Sequence, residues 1–418
     1  MAAAVTLADA GVPVTVFEAG RELGGRARRV VVNGVTLDNG LHILVGAYRE
    51  TLRLVHAVHP SPSQALERLP FDWHVHRRFR LKAAPLPAPL HLAVALITAQ
   101  GAPWRERLAA VRFMRAMQRA GFRLERDVTV SALLAAHRQG PAFTRFLWEP
   151  LCIAALNTPP QKASAQVFLN VLRDGLNARR DAGDILLAHV DLTALFPEPA
   201  GTYVSARGGE IVTGAAVDSI ETRTEGVVVR TRGGEAAYDH AICAVSPHRA
   251  AAILSGLPGL GATISALERF RYQPIHSVYL QFSQPVRLPA RMLGLEGVAQ
   301  WAFDREALCG QRGLVGAVIS AEGAHEGMPQ DALAHAVHEQ LEREVGPLPP
   351  LSWQRVIAEK RATFECTVDL ERPSTRTPLS NVHLAGDYTA SDYPATIEAA
   401  VRSGIAAARQ VIDAAAKL

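Results

Sequence analysis

Lysine is almost missing from this 418-residue sequence. Four occur, Lys82, Lys162, Lys360 and Lys417, so 40 of the 44 basic residues are arginines. The arginines run along the whole chain without a stripe of interleaved aromatics, so nucleic acid is not read as a partner. Base composition of the genome explains them more simply. Cysteine is just as sparse: Cys152, Cys243, Cys309 and Cys366 stand far apart, with no C-x-x-C to signal zinc or a redox pair. A reducing cytoplasm suits that usage. Long apolar runs are lacking too, because the best stretch, 83–100, is broken by Pro85, Pro87, Pro89 and His91 and is too short to span a bilayer. The first ten residues lack the basic start of a secretory signal and reach Asp9 early. What remains is a chain 48% hydrophobic with a net charge of only +4. That balance excludes disorder as the main state, and the length suggests two to four domains.

The chemistry begins near the N-terminus. Residues 2–10 have the small apolar spacing of a helix packed closely on a sheet, and Gly11-Val12-Pro13 reads as its stop. Val14 to Phe17 then reads as a strand ending in Glu18. This helix, turn, strand and terminal carboxylate form the second half of a βαβ dinucleotide unit, in which the carboxylate accepts hydrogen bonds from ribose hydroxyls. Gly24, Gly25 and Arg26 follow, glycines that let backbone approach a pyrophosphate beside a guanidinium. Val30–Val32 and the turn at Asn33-Gly34 read as a hairpin. The loop Asp38-Asn39-Gly40-Leu41-His42-Ile43 could lay a flat ring system on its backbone, although turn capping explains Asp38 and His42 equally well.

The middle of the chain is less specific. Tyr48–His59 reads as a helix, Leu69–Lys82 as short strands and Pro103–Ala136 as a long helical stretch. Within that stretch the series Arg105, Arg107, Arg112, Arg115, Arg119, Arg123 and Arg126 accompanies apolar residues. An ordinary helix with one solvated face weighs more than a surface resting on anionic lipid, which remains an open second reading. His74 with His76 has no third metal ligand, and His335 with His338, among Glu339 and Glu342, reads as a solvated helical face, so no metal is expected.

A second nucleotide-like segment starts near Tyr203, with Gly208-Gly209, a strand around Val217, and strands near 226–230 and 239–245 before a helix start at Ser246-Pro247. At the C-terminal end Asn381–Ala385 reads as a strand ending in Gly386-Asp387. Pro394-Ala395-Thr396-Ile397-Glu398 then opens a long helix whose N-terminus favours an anionic or electron-rich group.

Glu18, the Gly24–Arg26 turn, the Asp38–His42 loop, Gly208-Gly209 with Val217, and Gly386-Asp387 with Ala395–Glu398 occur in the order found in flavin amine oxidases and carotenoid desaturases. Within that superfamily the chain most resembles the squalene-associated desaturase group of hydroxysqualene dehydroxylases, chiefly through 37–51 and 394–404. The resemblance implies an α/β fold with a Rossmann-like FAD domain and an interleaved substrate domain of mixed sheet and helices. Residues 1–60, 200–260 and 365–418 are assigned to the first, 61–199 and 261–364 to the second. It further implies FAD as cofactor, with Glu18 at the adenosine ribose and Gly24, Gly25 and Arg26 at the phosphates. Val217 would meet the adenine, Gly40, Leu41, His42 and Ile43 the isoalloxazine, and Gly386, Asp387, Thr396 and Ile397 the ribityl and pyrimidine side. His42 is the candidate proton donor.

The family's opening strand and G-x-G-x-x-G do not occur in this sequence, whose first residues already read as the following helix, so weak or absent FAD binding is expected of it. The implied reaction is reduction of hydroxysqualene to squalene in hopanoid biosynthesis. Alternatives are a carotenoid- or squalene-type desaturase, an amine oxidase, for which Lys162 and Lys360 are the few flavin-proximal candidates, and a non-catalytic lipid-binding protein. A hydrophobic isoprenoid is the expected partner. A cytoplasmic location with peripheral contact on the inner membrane goes with it, and the oligomeric state stays open.

Overall fold

The computed structural model describes residues 1–416. Small residues open the chain as helix α1 (Ala2–Asp9), and Gly11, at φ +73°, turns it into strand β1 (Thr15–Glu18). Strands β2 (Arg29–Val32) and β3 (Val35–Asp38) form the expected hairpin. Asn33 and Gly34 both have positive φ, 51° and 76°, the geometry that matches the twist of a two-residue hairpin. Helix α2 (Arg49–Val58) and the strand pair β4 (Asp72–Val75) and β5 (Phe79–Lys82) follow.

Helix α3 (Leu90–Thr98) packs beside helix α4 (Trp104–Arg119). The helical stretch expected over Pro103–Ala136 is interrupted. It stops at Arg119, reverses through Gly121 and Phe122 at φ +62° and +56°, and a separate helix resumes at Val130. Gly121 supplies a left-handed turn that no apolar spacing announces.

Helix α5 (Pro197–Ser205) leads into β6 (Glu210–Thr213), which pairs in parallel with β1, Glu18 opposite Thr213. An antiparallel meander of β7 (Val217–Thr222), β8 (Val227–Thr231) and β9 (Gly234–Tyr238) precedes β10 (Ala241–Cys243). The second half of the chain adds β11 (Tyr272–Phe282), β12 (Met292–Gly294), β13 (Trp301–Asp304), β14 (Leu314–Ser320), helix α6 (Gln330–Val345) and β15 (Leu351–Phe364). Last come β16 (Val382–Leu384), parallel to β10, and helix α7 (Ile397–Ala415).

The architecture is mixed α/β. A seven-stranded sheet runs in the order β15-β11-β14-β13-β12-β4-β5, joined across the chain where Gly294 of β12 meets Val75 of β4. The parallel pairs β1–β6 and β10–β16 are separate, and among the described residues no strand bonds the remaining edge of either β1 or β10. Helices α1 and α7 pack tightly because Gly404 leaves no side chain between them: a Cβ there would lie 3.1 Å from the Ala3 amide nitrogen and 3.3 Å from the Ala2 Cβ.

The hairpin is fastened to the large sheet through one buried carboxylate. Asp38 ends β3, and its Oδ1 accepts the Leu192 N–H at 2.9 Å while its Oδ2 faces the Arg305 guanidinium at 3.2 Å. The Tyr279 hydroxyl on β11 donates to the Asp38 carbonyl at 2.8 Å, and the Ser277 hydroxyl accepts the Leu41 N–H at 3.2 Å. Burial pushes the Asp38 carboxyl above its ordinary value, against the pull of Arg305 and the Leu192 amide. Two N–H donors on its two oxygens match the ionised form. Removing one member of such a pair strands a buried charge, so Asp38→Ala should lose about 3–5 kcal/mol in chemical denaturation. Asp38→Leu combined with Arg305→Met should lose less than Asp38→Ala alone, because no unpaired charge is left inside.

Candidate active site

One cavity of about 1830 Å³ runs through the molecule, larger than the roughly 300–1,000 Å³ of an ordinary small-ligand pocket. All thirteen residues singled out from the sequence line it: Glu18, Gly24, Gly25, Arg26, Gly40, Leu41, His42, Ile43, Val217, Gly386, Asp387, Thr396 and Ile397. They come from both ends of the chain and from the meander between.

The polar part of the lining is built on strand ends. Glu18 stands at the carboxyl end of β1, and its Oε1 accepts the Gly20 N–H at 2.7 Å. Gly24 and Gly25 then take φ of +117° and +59°, and the turn carries Arg26 across to the C-terminal segment. There Arg26 Nη2 meets Asp387 Oδ2 at 2.7 Å, and Arg26 Nη1 donates to the Ala362 carbonyl. Burial opposes the Arg26 charge, but Asp387 outweighs it and holds the guanidinium protonated.

The end of β16 turns at Gly386, φ +153°, whose N–H donates to the Ser403 hydroxyl at 2.7 Å. A Cβ on Gly386 would lie 2.3 Å from the Tyr388 ring. The Tyr388 hydroxyl is buried, has no hydrogen-bond partner and belongs to a side chain on the cavity lining. Burial raises its pKa well above the ordinary phenol value, so it stays a proton-bearing donor. Thr396 caps α7 by accepting the Ala399 N–H at 3.2 Å.

Glu398 is the site-forming residue whose role the sequence concealed. It stands in the first turn of α7 and is fully buried. Its carboxylate accepts the Glu50 and Thr51 N–H groups at 3.2 and 2.9 Å, the Thr51 hydroxyl at 2.8 Å and Arg402 Nε at 2.7 Å. It thereby caps α2, whose own N-cap residue Tyr48 offers no side-chain bond, and fixes Tyr48 on the cavity wall.

His42 Nδ1 lies 2.6 Å from the Gly40 carbonyl oxygen. A carbonyl only accepts, so Nδ1 carries the hydrogen and Nε2 is left as an acceptor in the neutral ring. Burial lowers the His42 pKa, with Gly40 and Asp38 pulling the other way. Delivery of a proton from this ring therefore requires acid conditions or a proton taken up at Nε2 from the substrate side.

A further part of the lining is apolar and comes from the seven-stranded sheet and the residues beside it. Phe71 and Trp73 approach from the β4 side, and Met292, Trp301, Phe303 and Val318 from β12, β13 and β14. Trp73 and Trp301 meet edge to face with centroids 4.9 Å apart.

Comparison with known proteins places this geometry. A family model described as flavin-containing amine oxidoreductase matches residues 1–412. The chain is 30% identical to a hydroxysqualene dehydroxylase of Rhodopseudomonas palustris, covering 99% of this chain and 96% of the relative. Identity is 26% to a hydroxysqualene dehydroxylase of Zymomonas mobilis, over 98% and 95%, and 23% to a probable zeta-carotene desaturase of Synechococcus elongatus, over 100% and 97%. Among solved structures, a redesigned triple mutant of putrescine oxidase superposes with a TM-score of 0.75 at 16% identity, over 99% of this chain and 96% of that one. Cyclohexylamine oxidase from Brevibacterium oxydans superposes with a TM-score of 0.70 at 16% identity, over the same shares.

The residues present fit a flavin dinucleotide. An unpartnered phenol, a protonated arginine, a carboxylate at a strand end and a glycine turn converge on one cavity, matching hydroxyls, phosphates and a polar ring edge. Gly386→Ala should push Tyr388 aside and weaken FAD binding about tenfold, read by titrating flavin fluorescence. Gly11→Ala strains a positive-φ glycine whose added Cβ would meet nothing within 4 Å, and it should leave FAD affinity unchanged.

Proposed function

We propose, for a chain that belongs to the family of flavin-containing amine oxidoreductases, that its reaction is the reduction of hydroxysqualene to squalene. The chain is an FAD-dependent oxidoreductase. The observation that carries the finer reading is the pair of near-full-length relatives named for hydroxysqualene dehydroxylation, at 30% and 26% identity. The cavity is consistent with it, because at about 1830 Å³ it exceeds an ordinary small-ligand pocket and part of its lining, from Phe71, Trp73, Met292, Trp301, Phe303 and Val318, is aromatic and aliphatic.

In the reaction a C–O bond breaks, a C–H bond forms from a hydride equivalent, and hydroxide leaves as water with one proton. FAD, bound and first reduced by an external two-electron donor, would supply the hydride, and the protein supplies placement and the proton. Apolar walls at Trp73, Trp301 and Phe303 would hold the isoprenoid chain and keep bulk water out. The Gly40–Ile43 loop would bring His42 to the departing oxygen, where its Nε2 first accepts the hydroxyl hydrogen bond and, once protonated, donates.

Anaerobic incubation of the flavin-loaded protein with hydroxysqualene and a chemical reductant should yield squalene by mass spectrometry. The desaturase reading has the 23% identical zeta-carotene desaturase in its favour. It predicts the reverse outcome: no squalene, and new double bonds in a carotene offered with an oxidant. His42→Ala should lower kcat about a hundredfold, within the range of a lost acid–base group. Because the His42 pKa is lowered from 6.5, the proton-bearing ring accumulates only below that pH. The wild-type rate should therefore climb as pH falls from 7.5 toward about 6, and the climb should vanish in His42→Ala. A His42→Ala enzyme at the wild-type rate removes His42 from the proton path.

A further inference from the structure

Large hydrophobic side chains are rarely left in water as a group without cause, and here they are concentrated. Seven stand exposed on the described surface, and five of them, Leu86, Leu90, Ile97, Trp104 and Leu108, fall within 86–108. The most open of these five are Trp104 at 64%, Leu90 at 55% and Ile97 at 50%. Most of these residues sit on or beside two helices that pack on each other, α3 and α4. Each helix already has its own buried face, Leu92, Ala95 and Leu96 on α3 and Phe113, Met114 and Met117 on α4. The outward apolar residues are therefore a second face, left over after the core is satisfied.

Charge completes the pattern. Along α4 the exposed positions include Trp104, Leu108, Arg112, Arg115 and Arg119, three or four residues apart and so on one helical face. Between Arg77 and Arg123 the chain carries ten lysines and arginines against one acid, Glu106, a local net of +9 in a chain whose total is +4. The rest of the molecule is thus net acidic. Glu106 is itself occupied, accepting the Ala142 and Phe143 N–H groups at 2.9 and 3.3 Å. Arg107 is likewise turned inward, its Nε donating to the Ala102 carbonyl at 2.9 Å and tying down the turn between the helices. Arg112, Arg115 and Arg119 have no such task.

We propose that the 86–108 face, with Arg105, Arg112 and Arg115 around it, docks on the surface of an anionic lipid bilayer. Trp104 and the leucines would enter the boundary between headgroups and acyl chains, while the arginines take the lipid phosphates. Arg78 and Arg80 are already paired with Glu296 and Asp72, but a neutral protein partner would match the apolar residues and leave Arg105, Arg112, Arg115 and Arg119 unanswered, and an acidic soluble partner would leave Trp104 and Ile97 exposed; an anionic membrane meets both. The chain just before the face is bonded to the cavity wall. The Ala83 N–H donates to the carbonyl of Phe71 at 3.0 Å, and Phe71 lines the cavity wall. An apolar molecule dissolved in the bilayer would thus meet the protein beside the sheet that walls its cavity. The proposal rests on the surface alone and holds whichever substrate the cavity takes.

Cosedimentation of the full chain with vesicles of equal phosphatidylglycerol and phosphatidylcholine tests it, against pure phosphatidylcholine. Binding to the anionic vesicles only, weakened by high salt, is expected. Arg105→Gln with Arg112→Gln and Arg115→Gln should cut partitioning on the order of a hundredfold, at about fivefold for each charge. Trp104→Ser with Ile97→Ser should lower it as well, while Arg223→Gln with Arg249→Gln, outside the face, should not. In the wild-type protein, vesicles with brominated acyl chains should quench Trp104 fluorescence, recognised as the signal lost in Trp104→Phe. Absence of binding, equal binding to both vesicles, or equal loss from the two sets of arginines overturns the proposal.

Discussion

A carboxylate that cannot leave its guanidinium organises the interior. Asp38 and Arg305 are 267 residues apart in sequence and both almost wholly buried. Neither tolerates the interior alone, so the hairpin that bears Asp38 must lie against the segment between β13 and β14 that bears Arg305. Once it does, the following loop has little freedom: Leu41 is bonded to Ser277, and its side chain occupies the space that a Cβ on Gly316 of β14 would need, 2.6 Å from Leu41 Cδ1. The Gly40–Ile43 loop is thereby set at the seam between the hairpin and the seven-stranded sheet. That seam is where the polar and apolar parts of the cavity lining meet, and it is the place a reacting carbon and a flavin ring would need to share.

The two chain ends are brought together by the same kind of bond. Arg26 and Asp387 join segments 361 residues apart. Glu398, four times bonded, ties α7 to the first turn of α2. Each is a buried or half-buried charge whose full complement of partners exists only in the closed structure. Such bonds add modest net stability and strong specificity of arrangement.

The residues of the site were legible in the sequence because their chemistry is local. A carboxylate after four β-forming residues, paired glycines beside arginine, and a Pro-Ala-Thr-Ile-Glu helix start each announce a turn or cap whatever lies around them. The sheet order was not legible, since the contact that joins its halves, Gly294 with Val75, spans a long loop-closing distance and leaves no local trace. Strand β9, Gly-Glu-Ala-Ala-Tyr, has poor intrinsic β preference and exists because β8 offers it an edge. Glu398 was hidden for another reason: a first-turn glutamate is ordinarily solvated, and only the arrival of α2 converts it into a buried cap. Arg305 likewise gave no sign among so many arginines.

The central claim is that one cavity holds the flavin and a long isoprenoid chain in contact, with the Gly40–Ile43 loop beside the point where they meet. A crystal structure of the flavin-loaded protein with squalene tests it most directly. The account predicts the flavin against Gly40–Ile43 and Asp387, with squalene extended past His42 between Trp73, Trp301 and Phe303. Squalene bound elsewhere, with those aromatic walls closed on each other, would contradict it.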